Sequence, residues 1–344
     1  MSSGVGRGSG AAERKHLIRL GIIAVAIFTV MSLVRPELFF TSANFQSMAF
    51  QFPEYGILAL AVMLAMLTGG IDLSIIGTAN LSGILAALLM GALVPDAAGT
   101  GPEVIGAIAL AIALSLAVGA LCGAINGIAI AGVGIPAILA TLGTGLVFTG
   151  IAIVITEGRA VLNFPDAFAY IGNGRVGPVP VPVVIFAVLA IGLAFVLSRT
   201  KFGLRIYLMG TNPLAARFAG IDNTWITMRT YIACGMLSSC AGLVLMSRAN
   251  SAKADYGTSY LLLAVLIAVL GGTNPYGGFG RVLGIVLAVF SLQCLSSGFN
   301  MLQFSNFAKE LVWGLTLLTV MGLSEVSLSR RRPAAKTGGT KPAG

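Results

Sequence analysis

Charged residues are scarce in this chain of 344 amino acids. Lys, Arg, Asp and Glu make up 10% of it, whereas hydrophobic residues make up 57%. A soluble globular domain is about a quarter charged and about half apolar. The mean hydropathy of +0.95 therefore excludes an ordinary soluble domain and predicts an all-α, polytopic membrane protein. At about 20 residues per span, the length allows about ten transmembrane helices.

Residue patterns that carry enzyme or metal chemistry are also missing. His16 is the only histidine, which excludes a His-based metal site or catalytic triad. Cys122, Cys234, Cys240 and Cys294 fall in apolar stretches without CxxC spacing, so we interpret them as small buried hydrophobes. No G-x-x-x-x-G-K-[ST] string is present, so the chain binds no nucleotide through a P-loop. We expect no enzyme activity, no cofactor and no metal.

The net charge of +9 is confined to loops and tails, which argues against a nucleic-acid surface and for anchorage in a lipid bilayer. Polar or basic residues at 1–16 and 327–344 are predicted to be disordered tails around a transmembrane domain at 17–326. The apolar segments of that domain lie at about 17–34, 53–68, 71–94, 104–132, 136–156 and 180–198, then at 227–247, 257–270, 281–299 and 309–326.

Six segments precede the central loop 199–226 and four follow it. Because an even number of crossings returns the chain to the side where it began, the loop and both termini lie on one side of the membrane. That side holds 15 of the 21 Lys and Arg residues. The positive-inside rule makes it the cytoplasmic side.

Two predicted segments are too short to cross a hydrocarbon core of about 30 Å. They are Pro53–Thr68 and Gly257–Leu270, and a Gly-Gly pair follows each of them. With Gly69 in register with Gly271, the halves are offset by 202 residues, which predicts a parallel internal repeat. Short, Gly-interrupted segments at matching places of two halves point to a transport pathway.

The central loop contains the pattern of a very short helix. Asn212 is a good N-cap, Pro213 suits the first helical position, and Gly220 is a natural left-handed C-cap. Such a helix is too short to be stable alone. Two interpretations stay open on this pattern: a plug that enters a pocket of another protein, or a loop among lipid headgroups.

Asp72 follows a helix-breaking Gly pair and precedes Leu73-Ser74. It either caps a half-helix inside the membrane, where a carboxylate is usually functional, or caps a helix at the cytoplasmic surface, which the span count favours. Other polar residues at or near membrane depth either line a path for hydroxylated solutes or join helices, the commoner use. These further path candidates are Ser74, Asn80, Asn126, Thr141, Thr144 and Asn274.

Gly119, Gly123 and Gly127 recur every four residues and so share one helix face. This small-residue pattern predicts close helix packing, either within the chain or across a dimer.

The chain resembles the permease subunits of bacterial ABC sugar importers of the ribose/xylose/autoinducer-2 type. The matching stretches are GGIDLSIIGTANLSG (69–83), GALCGAINGIAI (119–130), IPAILATLGT (135–144), GTNPLAARFAGI (210–221) and GGTNPYGGFGRVLG (271–284). They run in the family's order and cover most of residues 50–325. One departure is Ile75-Ile76, where ribose-type permeases tend to have Val-Gly, so ribose itself is not implied.

The resemblance implies a permease in the bacterial inner membrane that works as a homodimer or with a related permease. It also implies a separate ATPase subunit and a periplasmic binding protein that delivers the solute. Residues 210–221 would then be the cytoplasmic segment seated on the ATPase. The coupling residues implied are Arg205, Gly210, Asn212, Pro213, Ala215, Ala216, Arg217, Phe218 and Gly220.

The alternative class is an ion-coupled secondary transporter in which Asp72 or Glu54 carries the proton. Neither residue has an obvious intramembrane Lys, Arg or His partner in the sequence, although proton relays commonly have one. This class also leaves the capped helix in a basic loop unexplained. Within ABC importers, autoinducer-2, nucleosides or branched-chain amino acids are alternative substrates.

Overall fold

The computed structural model describes residues 6–94 and 101–329, which form a bundle of helices. The helices within these residues are α1 (Gly6–Val34), α2 (Pro36–Phe39), α3 (Ser42–Leu67), α4 (Ile75–Leu93), α5 (Pro102–Gly127), α6 (Ala137–Thr156), α7 (Asp166–Asn173), α8 (Val181–Arg199), α9 (Lys201–Thr211), α10 (Pro213–Phe218), α11 (Asn223–Ala249), α12 (Tyr260–Leu270), α13 (Val282–Met301) and α14 (Asn306–Ser329). A π-helical turn, Ile128–Gly132, continues α5.

Extended structure within the described residues is limited to four two-residue strands. Strand β1 (Val161–Leu162) pairs antiparallel with β4 (Ser251–Ala252). Strand β2 (Arg175–Val176) pairs antiparallel with β3 (Val179–Pro180). The predicted all-α class is therefore confirmed.

Seven of the described helices are long and apolar enough to cross a membrane: α3, α4, α5 with its π-helical turn, α6, α8, α11 and α13. Two shorter apolar helices are Leu20–Leu33, within α1, and Tyr260–Leu270, which is α12. The polytopic architecture is confirmed, whereas the number of ten spans stays a prediction.

Helix α3 corrects one prediction. The segment predicted to begin at Pro53 is not short, because α3 begins at Ser42 and its 26 residues extend over about 39 Å. Pro53 lies inside the helix, where it removes one backbone hydrogen bond without ending the helix. The apolar run begins late because the first half of α3 carries the polar side chains of Asn44, Ser47 and Gln51. The other short segment is confirmed, since α12 has 11 residues.

The ends of α3 and α12 share one conformation. Gly69 follows α3 with φ of 84°, and Gly272 follows α12 with φ of 86°. In both places the glycine and the next residue donate to carbonyls of the last helical turn, in the pattern of a Schellman motif. Because Gly69 corresponds to Gly272, the two motifs are offset by 203 residues and not by 202. The parallel repeat stays a prediction.

Helix α11 packs directly against the glycine run of α5. A Cβ added at Gly119 would lie 2.5 Å from the carbonyl oxygen of Gly235, and one at Gly123 would overlap the carbonyl oxygen of Tyr231. One at Gly127 would lie 2.7 Å from a methionine sulfur of the same helix. The three glycines therefore let the backbones of α5 and α11 touch within the chain.

The predicted tails are described only in part. Helix α1 begins at Gly6 and α14 ends at Ser329, so both helices extend past the predicted domain limits at 17 and 326. The rest of both tails lies outside the described residues. The division into one domain and two tails stays a prediction.

Candidate translocation and coupling sites

Residues 70–74 connect α3 to α4 without regular secondary structure. Within this segment Asp72 and Ser74 are each only 1% exposed. Oδ1 of Asp72 accepts the backbone N–H of Ser74 at 2.9 Å and its hydroxyl at 2.6 Å. Helix α4 begins at Ile75 with Ser74 in the N-cap position, so the prediction that Asp72 caps this helix is wrong. Its carboxylate instead holds the turn that precedes the helix.

Hydrogen bonds join this segment to α5 and α6. Asn126, near the end of α5, donates to the Ser74 hydroxyl at 2.7 Å. Thr144 of α6 donates to Oδ1 of Asn126 at 2.5 Å, and Thr141, one turn earlier, accepts the N–H of Leu73 at 3.0 Å. Five predicted path candidates therefore lie together, and we call them the Asp72 network: Asp72, Ser74, Asn126, Thr141 and Thr144.

The Asp72 network lies well inside the helix bundle. A Cβ added at Gly70 would lie 2.5 Å from the hydroxyl oxygen of Tyr231. Tyr231 is eight residues past the start of α11, which is about 12 Å along the helix. Its hydroxyl is buried and has no hydrogen-bond partner among the described residues. The Asp72 network is therefore buried within the protein, and the position of its carboxylate relative to the membrane surface stays a prediction.

The two other path candidates lie outside the Asp72 network. Asn80 of α4 donates to the carbonyl oxygens of Ala254 and Tyr256 at 2.8 and 2.9 Å, which ties α4 to the loop before α12. Asn274 lies in the loop after α12, and its Oδ1 accepts the N–H of Tyr276 at 3.1 Å. These bonds hold loops in place.

The capped helix predicted in the central loop is confirmed as α10. Oδ1 of Asn212 accepts the N–H of Ala215 at 3.0 Å, and Pro213 is the first helical residue. Gly220 has φ of 78°, and its N–H donates to the carbonyl of Arg217 at 3.0 Å. These are the two capping devices expected from the sequence.

Helix α9 precedes α10 and was not predicted. The hydroxyl of Thr200 caps it by accepting the N–H of Gly203 at 3.2 Å. Ile206 and Met209 are buried, whereas Arg205 is exposed. A Thr followed by this amphipathic spacing is a recognisable helix start, so the sequence did contain the signal.

The coupling candidates divide into exposed and buried residues. Phe218 is 85% exposed and Leu214 is 65% exposed, whereas Ala216 is 4% exposed. Gly210 is also buried. It lies against the end of α3, where an added Cβ would overlap the carbonyl oxygen of Leu67. Gly210 and Ala216 therefore pack within the chain, and their part in coupling stays a prediction. The exposed candidates are Arg205, Asn212, Pro213, Ala215, Arg217, Phe218 and Gly220.

A partly buried ion pair corrects the expectation that Glu54 has no basic partner. Oε1 of Glu54 lies 2.9 Å from a guanidinium nitrogen of Arg248. The hydroxyl of Tyr260 donates to the other carboxylate oxygen at 3.2 Å. Arg248 lies at the end of α11, far away in sequence, and the fold brings it to α3.

Comparison with known proteins assigns the family. A family model described as the permease component of branched-chain amino acid transport systems matches residues 44–321. The chain is 34% identical over 310 residues to the ribose import permease protein RbsC of Escherichia coli (strain K12), which covers 89% of this chain and 91% of RbsC. It is 34% identical over 281 residues to the autoinducer 2 import system permease protein LsrD of Klebsiella pneumoniae subsp. pneumoniae, with 80% and 81% covered.

A third relative is the D-allose transport system permease protein AlsC of Escherichia coli (strain K12). It is 30% identical over 304 residues, with 88% of this chain and 89% of AlsC covered. No solved structure matches the chain. Because the family model and these relatives span most of its length, the chain belongs to the family of branched-chain amino acid transport system permease components.

Proposed function

We propose that this chain is the membrane-spanning subunit of an ATP-driven importer for a sugar or a sugar-like polyol. It is a transport subunit and not an enzyme, since its family consists of permease components. Several apolar helices and an import family make it a multi-pass protein of the inner membrane. Two of the relatives are named for ribose and allose, which supports a sugar over the branched-chain amino acids in the family's name.

The exposed helix α10 is the observation that carries this proposal. A helix of six residues is too short to be stable by itself, yet caps at both ends make this one rigid. Phe218 projects from it with 85% of its surface exposed, and Arg217 is exposed beside it. An exposed aromatic residue next to an arginine is typical of a contact with another protein. The partner we propose is the ATPase subunit.

Contacts behind α10 support a route from the ATPase to the membrane helices. A Cβ added at Gly210 would lie 2.5 Å from the backbone nitrogen of Gly278 and would overlap the end of α3. The hydroxyl of Tyr207 donates to the carbonyl of Gly280 at 2.7 Å. Helix α9 therefore touches the end of α3, just before Gly69-Gly70, and the loop that follows Gly271-Gly272. We infer that a displacement of α10 reaches segment 70–74 through these contacts.

The remaining partners and the orientation belong to the same proposal. The basic central loop and both termini lie in the cytoplasm, as the distribution of Lys and Arg indicates. A periplasmic binding protein delivers the solute to the opposite face. A second copy of the chain, or a related permease, completes the pathway.

Ion coupling is the less favoured alternative. Glu54 is held in an ion pair with Arg248, and Asp72 accepts two hydrogen bonds from Ser74. Because this ion pair supplies the basic partner that the sequence did not show for Glu54, a missing partner now counts against Asp72 alone. The comparisons also place the chain among permease components, which work with other subunits.

Uptake into proteoliposomes that contain the permease, its ATPase and its binding protein tests the proposal. Gly220→Val forces a β-branched residue into a left-handed C-cap, and Arg217→Glu reverses the charge of the docking surface. Each is expected to lower uptake and stimulated ATPase activity about tenfold, which is about 1.4 kcal/mol. Gly177→Val is the matched control, because Gly177 also has a positive φ but lies in the β2–β3 turn.

Two results would contradict the proposal at different levels. Full uptake and full ATPase stimulation in both loop variants would show that α10 is not the coupling element. Uptake by this chain alone, driven by an imposed ion gradient and lost in Asp72→Asn, would overturn ATP-driven import.

A further inference from the structure

A stripe of polar side chains runs along the first half of α3. Asn44, Ser47 and Gln51 are spaced by three and four residues, so they lie on one face of the helix. Uncharged amide and hydroxyl groups on a membrane helix are commonly satisfied by neighbouring helices or line a polar space. None of the three belongs to the Asp72 network, so the path candidates discussed above do not account for this stripe.

A second stripe on α13 faces the first. Gln293 and Ser297 are 2% and 4% exposed, and Asn300 follows on the same face. The hydroxyl of Ser297 donates to Oδ1 of Asn44 at 2.6 Å, which joins the two helices. The hydroxyl of Tyr55 donates to Oε1 of Gln293 at the inner end.

The two stripes enclose a cavity of about 300 Å³. Seven of the ten residues that line it carry an amide or a hydroxyl group, and the other three are Leu38, Met48 and Met301. None of the ten is charged. The volume lies at the lower end of the range for small-molecule sites, about 300–1,000 Å³. It therefore suits a ligand of the size of a monosaccharide.

We propose that this cavity between α3 and α13 is a binding site for a neutral polyhydroxylated solute, and this inference rests on the proposed import function. An amide has two N–H donors and an oxygen with two lone pairs. Amides such as those of Asn44 and Gln51, which already bond within the protein, therefore keep capacity for a hydroxyl that donates and accepts. A zwitterionic amino acid would instead need opposite charges for its ammonium and carboxylate groups. The lining residues provide neither.

Two charged groups contact or adjoin residues that line the cavity. Glu54 lies next to Tyr55 on α3, and its carboxylate is paired with Arg248 at 2.9 Å. At the outer edge, Lys309 of α14 donates to Oδ1 of Asn300. The ten lining residues are themselves uncharged, and Lys309 contacts the cavity at the edge formed by Asn300.

The cavity is closed at its inner end. Beyond the bond from Tyr55 to Gln293, residues 57–67 of α3 are at most 2% exposed and pack into the core. A solute bound in the cavity is therefore separated from the Asp72 network near the other end of α3.

Uptake of D-ribose and D-allose by the complete complex tests the site. Gln51→Leu removes both hydrogen-bonding groups of a lining residue and is expected to lower sugar uptake about tenfold, or about 1.4 kcal/mol. Gln46→Leu is the control on the same helix, since Gln46 does not line the cavity. It accepts one hydrogen bond from Arg175 at 2.9 Å, and its loss is expected to leave uptake near the wild-type rate.

A labelling experiment provides a second readout that does not depend on transport. Ser47 is exposed at the mouth of the cavity, so Ser47→Cys is expected to react with a membrane-impermeant maleimide in the assembled complex. High concentrations of D-ribose are expected to slow this reaction at least threefold, whereas L-leucine is expected to leave it unchanged.

The outcomes separate this inference from the proposed function. Import of L-leucine but of neither sugar by the wild-type complex would refute the sugar importer and, with it, the site. Sugar import that is unaffected by Gln51→Leu, with Ser47→Cys labelling unaffected by D-ribose, would overturn the site alone. Absence of labelling without any sugar would assign the cavity to a subunit interface and would also overturn the site.

Discussion

Removal of Arg248 is expected to destabilise the protein more than removal of the negative charge of its partner Glu54. The two side chains are 2.9 Å apart, and Glu54 is 1% exposed whereas the side chain of Arg248 is 31% exposed. Arg248→Met leaves a buried carboxylate without a counter-charge, a change that typically costs about 3–5 kcal/mol. Glu54→Gln keeps an acceptor for the Tyr260 hydroxyl and leaves the arginine a route to water, so we expect a cost of about 1 kcal/mol.

A double variant isolates the interaction energy between Glu54 and Arg248 from the contacts that each residue makes with its other neighbours. With the carboxylate neutralised, the loss of the guanidinium no longer strands a charge, so Glu54→Gln combined with Arg248→Met is expected to cost only about 1–2 kcal/mol. The sum of the single changes would be larger by about 2 kcal/mol or more, and this difference is the coupling energy of the pair.

Unfolding in mixed detergent and SDS micelles, followed by tryptophan fluorescence, provides these free energies. Lys253→Met is the matched control, because Lys253 pairs with Asp255 at 2.8 Å but both side chains are exposed. Its removal is expected to change stability little. A coupling energy below about 0.5 kcal/mol, or a larger loss in Glu54→Gln than in Arg248→Met, would refute the reasoning.

Three further predictions concern packing, the Asp72 network and topology. Gly123→Leu is expected to prevent folding because α5 touches α11 there. Gly143→Leu is the control and is expected to fold, because a Cβ added at Gly143 would have no atom within 4 Å. Equal yields of the two folded variants would contradict this prediction. Thr144→Val removes a hydrogen bond of 2.5 Å and is expected to cost about 1 kcal/mol in unfolding free energy; no loss would contradict a structural role for that bond. Cysteines at Thr200 and Gly174 are expected to react with impermeant maleimide from opposite sides, and equal labelling from outside would refute the predicted topology.

The sequence alone was sufficient wherever the physical cause is local. The scarcity of charge predicts a membrane protein, because burial of charged groups in lipid is unfavourable at any position. Helix α10 follows from Asn212, Pro213 and Gly220, since a cap is a hydrogen bond or a dihedral angle within a few residues of the chain. The Gly run on α5 likewise predicts close packing, although not which helix it meets.

Only the tertiary structure decided which distant residues meet. Arg248 reaches Glu54 across 194 positions of sequence, and nothing in either segment specifies that contact. The start of α3 was misplaced because its polar stripe lowers the hydropathy of a helix whose polar face meets α13. The sequence likewise does not show that the end of α3 covers Gly210. Side-chain composition and spacing describe one helix at a time, and these features depend on which helices pack together.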